Sequence, residues 1–259
     1  MRPLPWKLVL VVLLVAVGLF AQRRFRGYYE EDVPIPPDAE EKSEYVFARF
    51  QYPSFYRSRR GGSWATDYPK ADRVFLRGVR RLTRIHSRSM EEVVSLDSPN
   101  LHDFPWMYAV EVGSWGLSDT QAAKLRDYLN RGGFLMVDDF HGDYEWDVFM
   151  DSMRRVFPDR AVVEIGEEDQ AFHILYDLKD RFQVPGIHYP WSGSTYEKGG
   201  IDPHWRGIYD EKGRLVVAIC FNMDLGDAWE HADVPQYPEK FAALAYRTAL
   251  NYIIYSMTH

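Results

Sequence analysis

The 259-residue sequence predicts an α/β protein whose strands run mainly parallel and are joined by crossover helices. Two observations carry that expectation. Short apolar runs at 107–110, 134–137 and 216–221 have the length of buried strands, and helical patterns separate the first two. Each run also stops abruptly at polar residues: Glu111 after the first, Asp138 and Asp139 after the second, Asn222 and Asp224 after the third. Open α/β sheets bind ligands outside the carboxyl ends of their strands. The place of a functional site is thus readable before its chemistry is.

Taken in order, the chain opens with Arg2 and Lys7 ahead of the apolar stretch 8–21. That stretch is short for a membrane span and about right for a signal-peptide core. Leu19 and Ala21 offer a cleavage site, while Arg23, Arg24 and Arg26 resist translocation. A cleaved signal peptide and an uncleaved membrane anchor both fit residues 1–22. Either implies an exported, periplasmic or membrane-anchored protein of the cell envelope, touching the membrane through this segment only. Residues 23–43 read as a charged linker with Pro34, Pro36 and Pro37, and 44–259 as a single domain.

Within that domain Tyr45, Phe47 and Phe50 begin a strand-like pattern. Residues 68–85 turn helical, with Val74, Phe75, Leu82 and Ile85 as the apolar stripe and Arg77, Arg80, Arg81 and Arg84 on the solvated side. A strand follows at 93–96. Ser118 with Gln121 makes a capping box for a helix that stops at Gly132-Gly133. The turn Asp138-Asp139-Phe140-His141-Gly142 leads into a helix ending at Pro158, and 161–165 reads as another strand. Residues 166–207 are rich in proline and glycine and read as long irregular loops. A hairpin around Glu211-Lys212-Gly213 joins 208–209 to the strand at 215–221, and an apolar helix spans 238–257.

A formal charge of −7 argues against a nucleic-acid phosphate-binding face. Cys220 is the only cysteine, so disulfides within the chain and thiolate-rich metal sites are excluded. Its neighbours are apolar, as for a small buried side chain. Asp138, Asp139 and His141 are ordinary ligands of a divalent ion and fit metal or substrate contact; the same aspartates also fit a plain helix cap. Asn222, Asp224, Asp227, Trp229, Glu230 and His231 have the chemistry of a sugar-binding or hydrolase cleft, or of a turn with a cap. Trp64, Asp67, Tyr68 and Pro69 precede the first helix, where Asp67 also fits a cap. Gly61-Gly62 just before them lacks the lysine and spacing of a phosphate loop. His188, Tyr189 and Trp191 fit a lid or a loop packed on its own aromatics.

The elements Trp64-x-x-Asp67-Tyr68-Pro69, Gly132-Gly133-Phe134-Leu135-x-x-Asp138-Asp139-Phe140 and Asn222-x-Asp224-Leu225-Gly226-Asp227-Ala228-Trp229-Glu230 resemble the bacterial family called domain of unknown function 4159, over roughly residues 44–257. Such domains are similar to the class I glutamine-amidotransferase-like superfamily. The resemblance implies a flavodoxin-like three-layer α/β sandwich with a mainly parallel sheet. Amidotransferases carry a cysteine on a sharp turn after a strand, and the matching turn here holds neither cysteine nor serine. The expectation is therefore a cell-envelope ligand-binding or assembly domain lacking that nucleophile. Trp64, Asp67, Tyr68, Glu111, Asn222 and Trp229 would face an envelope protein or a carbohydrate-like ligand. The alternative is a metal-assisted or carboxylate-based hydrolase of a glycan or other envelope polymer. Asp138, Asp139, Asp224 and Glu230 are then the catalytic candidates, with Asp138, Asp139 and His141 for the ion.

Overall fold

A computed structural model describes residues 34–54 and 64–259, nearly all of which fall in the unit Pro36–His259. The signal or anchor segment 1–22, most of the linker and Gly61-Gly62 lie outside the described residues. Among the described residues no helix is long and apolar enough to cross a membrane.

The sheet has seven strands: β1 (Ala48–Phe50), β2 (Glu92–Val94), β3 (Trp106–Val110), β4 (Phe134–Asp138), β5 (Val163–Glu164), β6 (His204–Tyr209) and β7 (Leu215–Phe221), in the order β2-β1-β3-β4-β7-β6-β5. The pairs from β2 through β7 are parallel, and β6 and β5 are added antiparallel at one side. Every residue of β3, β4 and β7 is buried, as expected of central strands covered on both faces. The three apolar runs are therefore neighbours in space, with Val110 paired to Asp138 and Val137 to Ile219.

The helices divide between the two faces. Helices α1 (Lys70–Leu82), α5 (Leu225–Glu230) and α6 (Glu239–Thr258) share a core with Trp106, Tyr108, Phe134 and Met136. Helices α2 (Asp119–Asn130) and α3 (Gly142–Val156) share the other with Met107, Ala109, Leu135 and Val137. That split is the strand period of two, read on β3 and β4. A single helical turn, α4 (Tyr189–Ser192), lies in the long loop.

Several local expectations hold, and some are corrected. The capping box at α2 is present: Ser118 accepts from the Gln121 amide, and the Gln121 side chain accepts from the Ser118 amide at 2.9 Å. Gly132 takes φ 111°, the left-handed stop that glycine allows. The apolar stripe of α1 is shifted, because Ala71, Phe75, Leu76 and Val79 are buried while Leu82 is 51% exposed. The strand at 161–165 shrinks to the two exposed residues of β5. Arg49 on β1 is wholly buried; its Nε donates to Asp72 Oδ2 of α1 at 3.0 Å, and its guanidinium lies 4.9 Å from the Tyr108 ring centroid. The pair ties the first helix to the sheet below the segment carrying Asp67.

Candidate functional site

Three neighbouring strands end in the same unusual way. Glu111 after β3 (φ 52°), Asp139 after β4 (φ 51°) and Asn222 after β7 (φ 62°) all take left-handed conformations. The remaining non-glycine positive φ values among the described residues belong to Asp67 (60°) and Lys198 (48°). Side chains with a Cβ adopt this region at a cost, and Asn and Asp tolerate it best. Such residues gather where function holds the backbone in place. Cross-strand bonds fix the kinks: the Glu111 amide donates to Asp138 O at 3.1 Å, Asp139 N to Met223 O at 3.1 Å, and Asn222 N to Phe140 O at 3.0 Å.

Asp138, the last residue of β4, is wholly buried. Its Oδ2 accepts from Tyr108 Oη at 2.9 Å, Leu225 N at 2.8 Å and Gly226 N at 2.9 Å. It therefore braces the start of α5 rather than capping α3, whose N-cap is His141 with no side-chain bond. Burial pushes its acid up to about 7 against the pull of those donors. Its second oxygen, Oδ1, has no hydrogen-bond partner.

Asp139 meets two other carboxylates. Asp67, Asp139 and Asp224 each offer an oxygen, and these oxygens lie within 4.8 Å of one another. All three acids are pushed well above the ordinary carboxylate range, first by burial and then by mutual repulsion and other nearby carboxylates. Three like charges so placed need protons or a cation to neutralise them. Asp224 also caps α5, accepting from Asp227 N at 2.8 Å, so the cap reading holds for one of its oxygens. The cap reading fails for Asp67: the N-cap of α1 is Pro69, with no side-chain bond. His141 Nε2 is 3.2 Å from Asp139 Oδ1, and burial pushes the imidazole down to about 3, which leaves it neutral. It touches the triad through Asp139.

A second group adjoins. Asp227, Glu230 and His231 offer donor atoms within 4.8 Å of one another, and Glu230 Oε1 pairs with Lys70 Nζ at 3.1 Å. The long loop closes in on both groups. Ile187 N donates to Asp227 Oδ2 at 2.7 Å, and Asp224 N to Val184 O at 2.9 Å. Lys198 Nζ lies 2.8 Å from Glu145 Oε1 and 3.8 Å from Glu111 Oε2. Burial raises the Glu111 acid to about 7 although Lys198 opposes it. Gly186 makes this closure feasible: a Cβ there would stand 2.7 Å from Asp224 Oδ2 and 2.8 Å from Asp227 Oδ2.

The family described as Domain of unknown function (DUF4159) matches residues 46–257. The chain belongs to the DUF4159 family. No curated protein matches it. The DUF4159 match encloses both carboxylate groups, the kinked strand ends and the loop that closes on them.

Within this DUF4159 domain the residues expected at the site separate into roles. Asp67, Asp139 and Asp224 converge, while Asp138 holds the first amides of α5. Asn222 is a brace, its Oδ1 accepting from Gly142 N at 2.9 Å and its Nδ2 donating to Asp202 O at 2.7 Å. Trp229, expected against a ligand, is corrected to a core residue: it has no exposed surface and packs 4.7 Å from the Phe75 ring and 5.2 Å from Tyr108. Trp64 and Tyr68 are half-buried, with ring centroids 5.7 Å apart. Cys220 is buried inside β7 and its thiol is pushed far up, so thiolate chemistry has no place there. Sequence reading passes over Glu145, Lys198 and Glu197, whose Oε1 would stand 3.3 Å from a Cβ on Gly186; the Lys198-Gly199-Gly200 turn is a signal for the last two alone. Chemically, the arrangement can hold a hard cation on oxygen donors and keep a carboxyl group near neutrality beside it.

Proposed function

We propose that this chain is a ligand-binding domain of the cell envelope that holds a divalent cation between Asp67, Asp139 and Asp224, and through that ion an oxygen-rich, carbohydrate-like ligand. The observation that carries this reading is the approach of those three carboxylate oxygens to within 4.8 Å. An all-oxygen set suits Mg²⁺, Ca²⁺ or Mn²⁺. The surrounding acids, Glu111, Glu145, Glu197, Asp227 and Glu230, disfavour anions such as phosphate and leave hydroxyl and carbonyl oxygens as the natural partners of the ion. The charged, apolar start of the sequence supports an envelope address.

The scaffold is read as flavodoxin-like, in the class I glutamine-amidotransferase-like manner. The strand order β2-β1-β3-β4-β7 supports it, as does a left-handed residue between β4 and α3. Asp139 stands at the sharp turn where those enzymes carry cysteine, which removes their chemistry and supplies a ligand for an ion.

Thermal denaturation with each ion tests the proposal. An ion at a hundred times its Kd adds about 2.7 kcal/mol, or roughly 5–10 °C of Tm for a domain of this size. The rise is expected in the wild type and absent in Asp139→Asn and Asp224→Asn. Equal rises in all three, or none with any ion, would overturn the assignment.

A second reading, a metal-assisted hydrolase of an envelope glycan, draws support from Glu111. Its acid is raised to about 7 and it is a charge neighbour of both Asp139 and Asp67. That is where a general base works best at neutral pH. Under this reading Glu111→Gln lowers turnover of a glycan substrate by about 10²–10⁴-fold with ion affinity retained.

A further inference from the structure

Asp139 and Asp224 are 7% and 4% exposed, so a ligand larger than a bare ion reaches their carboxylates only if a covering segment gives way. The segment against Asp224 is 184–199. Its Gly186 lies directly on that side chain: a Cβ there would stand 2.7 Å from Asp224 Oδ2. One side chain ties the two ends of the segment together, because Gln183 Nε2 donates to Gly200 O and to Asn222 O, each at 2.9 Å. Between those buried ends, residues 187–199 are half-buried or exposed, and Trp191 is 75% exposed. A loop with joined ends, packed by its own side chains, is an Ω-loop. His188 supplies that internal packing, with Nε2 3.1 Å from Ser194 O and Nδ1 2.9 Å from Glu197 Oε1.

The bonds that hold the loop down end on elements of the site. Val184 O accepts from Asp224 N, Ile187 N donates to Asp227 Oδ2, and Lys198 Nζ reaches Glu145 Oε1 at 2.8 Å. Two adjacent residues then act on the loop with opposite sign. Lys198 draws it toward Glu145 and Glu111. Glu197 carries an acid inward: its Oε1 lies 3.3 Å from the same Cβ position on Gly186 that Asp224 Oδ2 and Asp227 Oδ2 approach. Without a cation that third acid is repelled by the other two, and with a cation it is attracted. We infer that 184–199 is a cation-controlled flap, latched by Lys198, loosened by Glu197 when no ion is bound, and drawn shut through Glu197 when an ion sits at Asp224. This rests on the cation reading above and supplies its gate. A loop that closes over a bound ligand shields it from water and sets how fast it leaves.

Hydrogen–deuterium exchange of the full chain, with and without Ca²⁺, tests it. In the absence of the ion the amides of 187–199 should exchange by local opening, well ahead of β4 and β7. Lys198→Met should speed them by about two- to fivefold, the worth of one partly exposed ion pair, and Glu197→Gln should slow them. Ca²⁺ should slow the wild-type loop by roughly tenfold and the Glu197→Gln loop far less, while raising the Tm of both. Circular dichroism reports that both variants fold. Loop protection equal to that of β4 without the ion overturns the flap. A Tm rise with Ca²⁺ but unchanged loop exchange overturns its control by the cation and leaves the cation reading standing. No Tm rise with Ca²⁺, Mg²⁺ or Mn²⁺ overturns the cation reading and the control built on it.

Discussion

Asp138 illustrates how one side chain sets the behaviour of this pocket. Its acid sits near 7 in the folded protein against an ordinary value of 3.8, and Glu111 is raised to about 7 as well. Between those values the folded state holds protons that the unfolded chain has released. The contribution is thus present below the unfolded value and is lost as pH rises through about 7. The metal-free protein is expected to melt at a higher temperature at pH 5.5 than at pH 8, and Asp138→Asn should flatten that dependence in pH-resolved melts. Arg49 gives a prediction of the opposite kind. Arg49→Met would leave Asp72 buried and unpaired, costing about 3–5 kcal/mol, so its Tm should fall by roughly 6–20 °C.

At the scale of elements, α5 is a short helix held at its start by two aspartates, Asp138 on its first amides and Asp224 on Asp227 N. The residues at its start and along it carry carboxylates of both groups, so its position and the geometry of the site are one property. Gly186→Ala tests this coupling from the opposite wall: the added methyl meets Asp224 and Asp227, and ion affinity should fall at least tenfold by calorimetry. Ser118→Ala at α2 is the contrast, losing about 1 kcal/mol of stability with the capping box while leaving ion binding unchanged. That box was legible because both partners lie within four residues of sequence. The kinked strand ends were not, because Glu111 and Asp139 carry no glycine signal. Only the cross-strand bonds reveal why they adopt left-handed backbone.

For the whole molecule, the parallel centre was legible from three apolar runs, and the β6–β7 hairpin from Lys212-Gly213. The site was legible only in outline. Its edge of the sheet followed from the residues that end β3, β4 and β7, but the partnership of Asp67 with Asp139 and Asp224 joins segments far apart in sequence. No local pattern encodes that distance. Trp229 misleads for a related reason: it adjoins Glu230 in sequence, yet the turn of α5 carries it into the core while Glu230 stays with the pocket.

The two edge strands have a consequence for how this domain meets other chains. β2 has three residues and β5 only two. Glu92 on β2 is paired to Arg88, and Glu164 on β5 to His204 and Arg206. Short, charged borders offer a poor template for adding a foreign strand, so the sheet is guarded against the edge-to-edge polymerisation that open sheets invite. In a crowded compartment, any assembly this domain enters should therefore proceed through its helices and loops, leaving the hydrogen-bonding pattern of the sheet unextended.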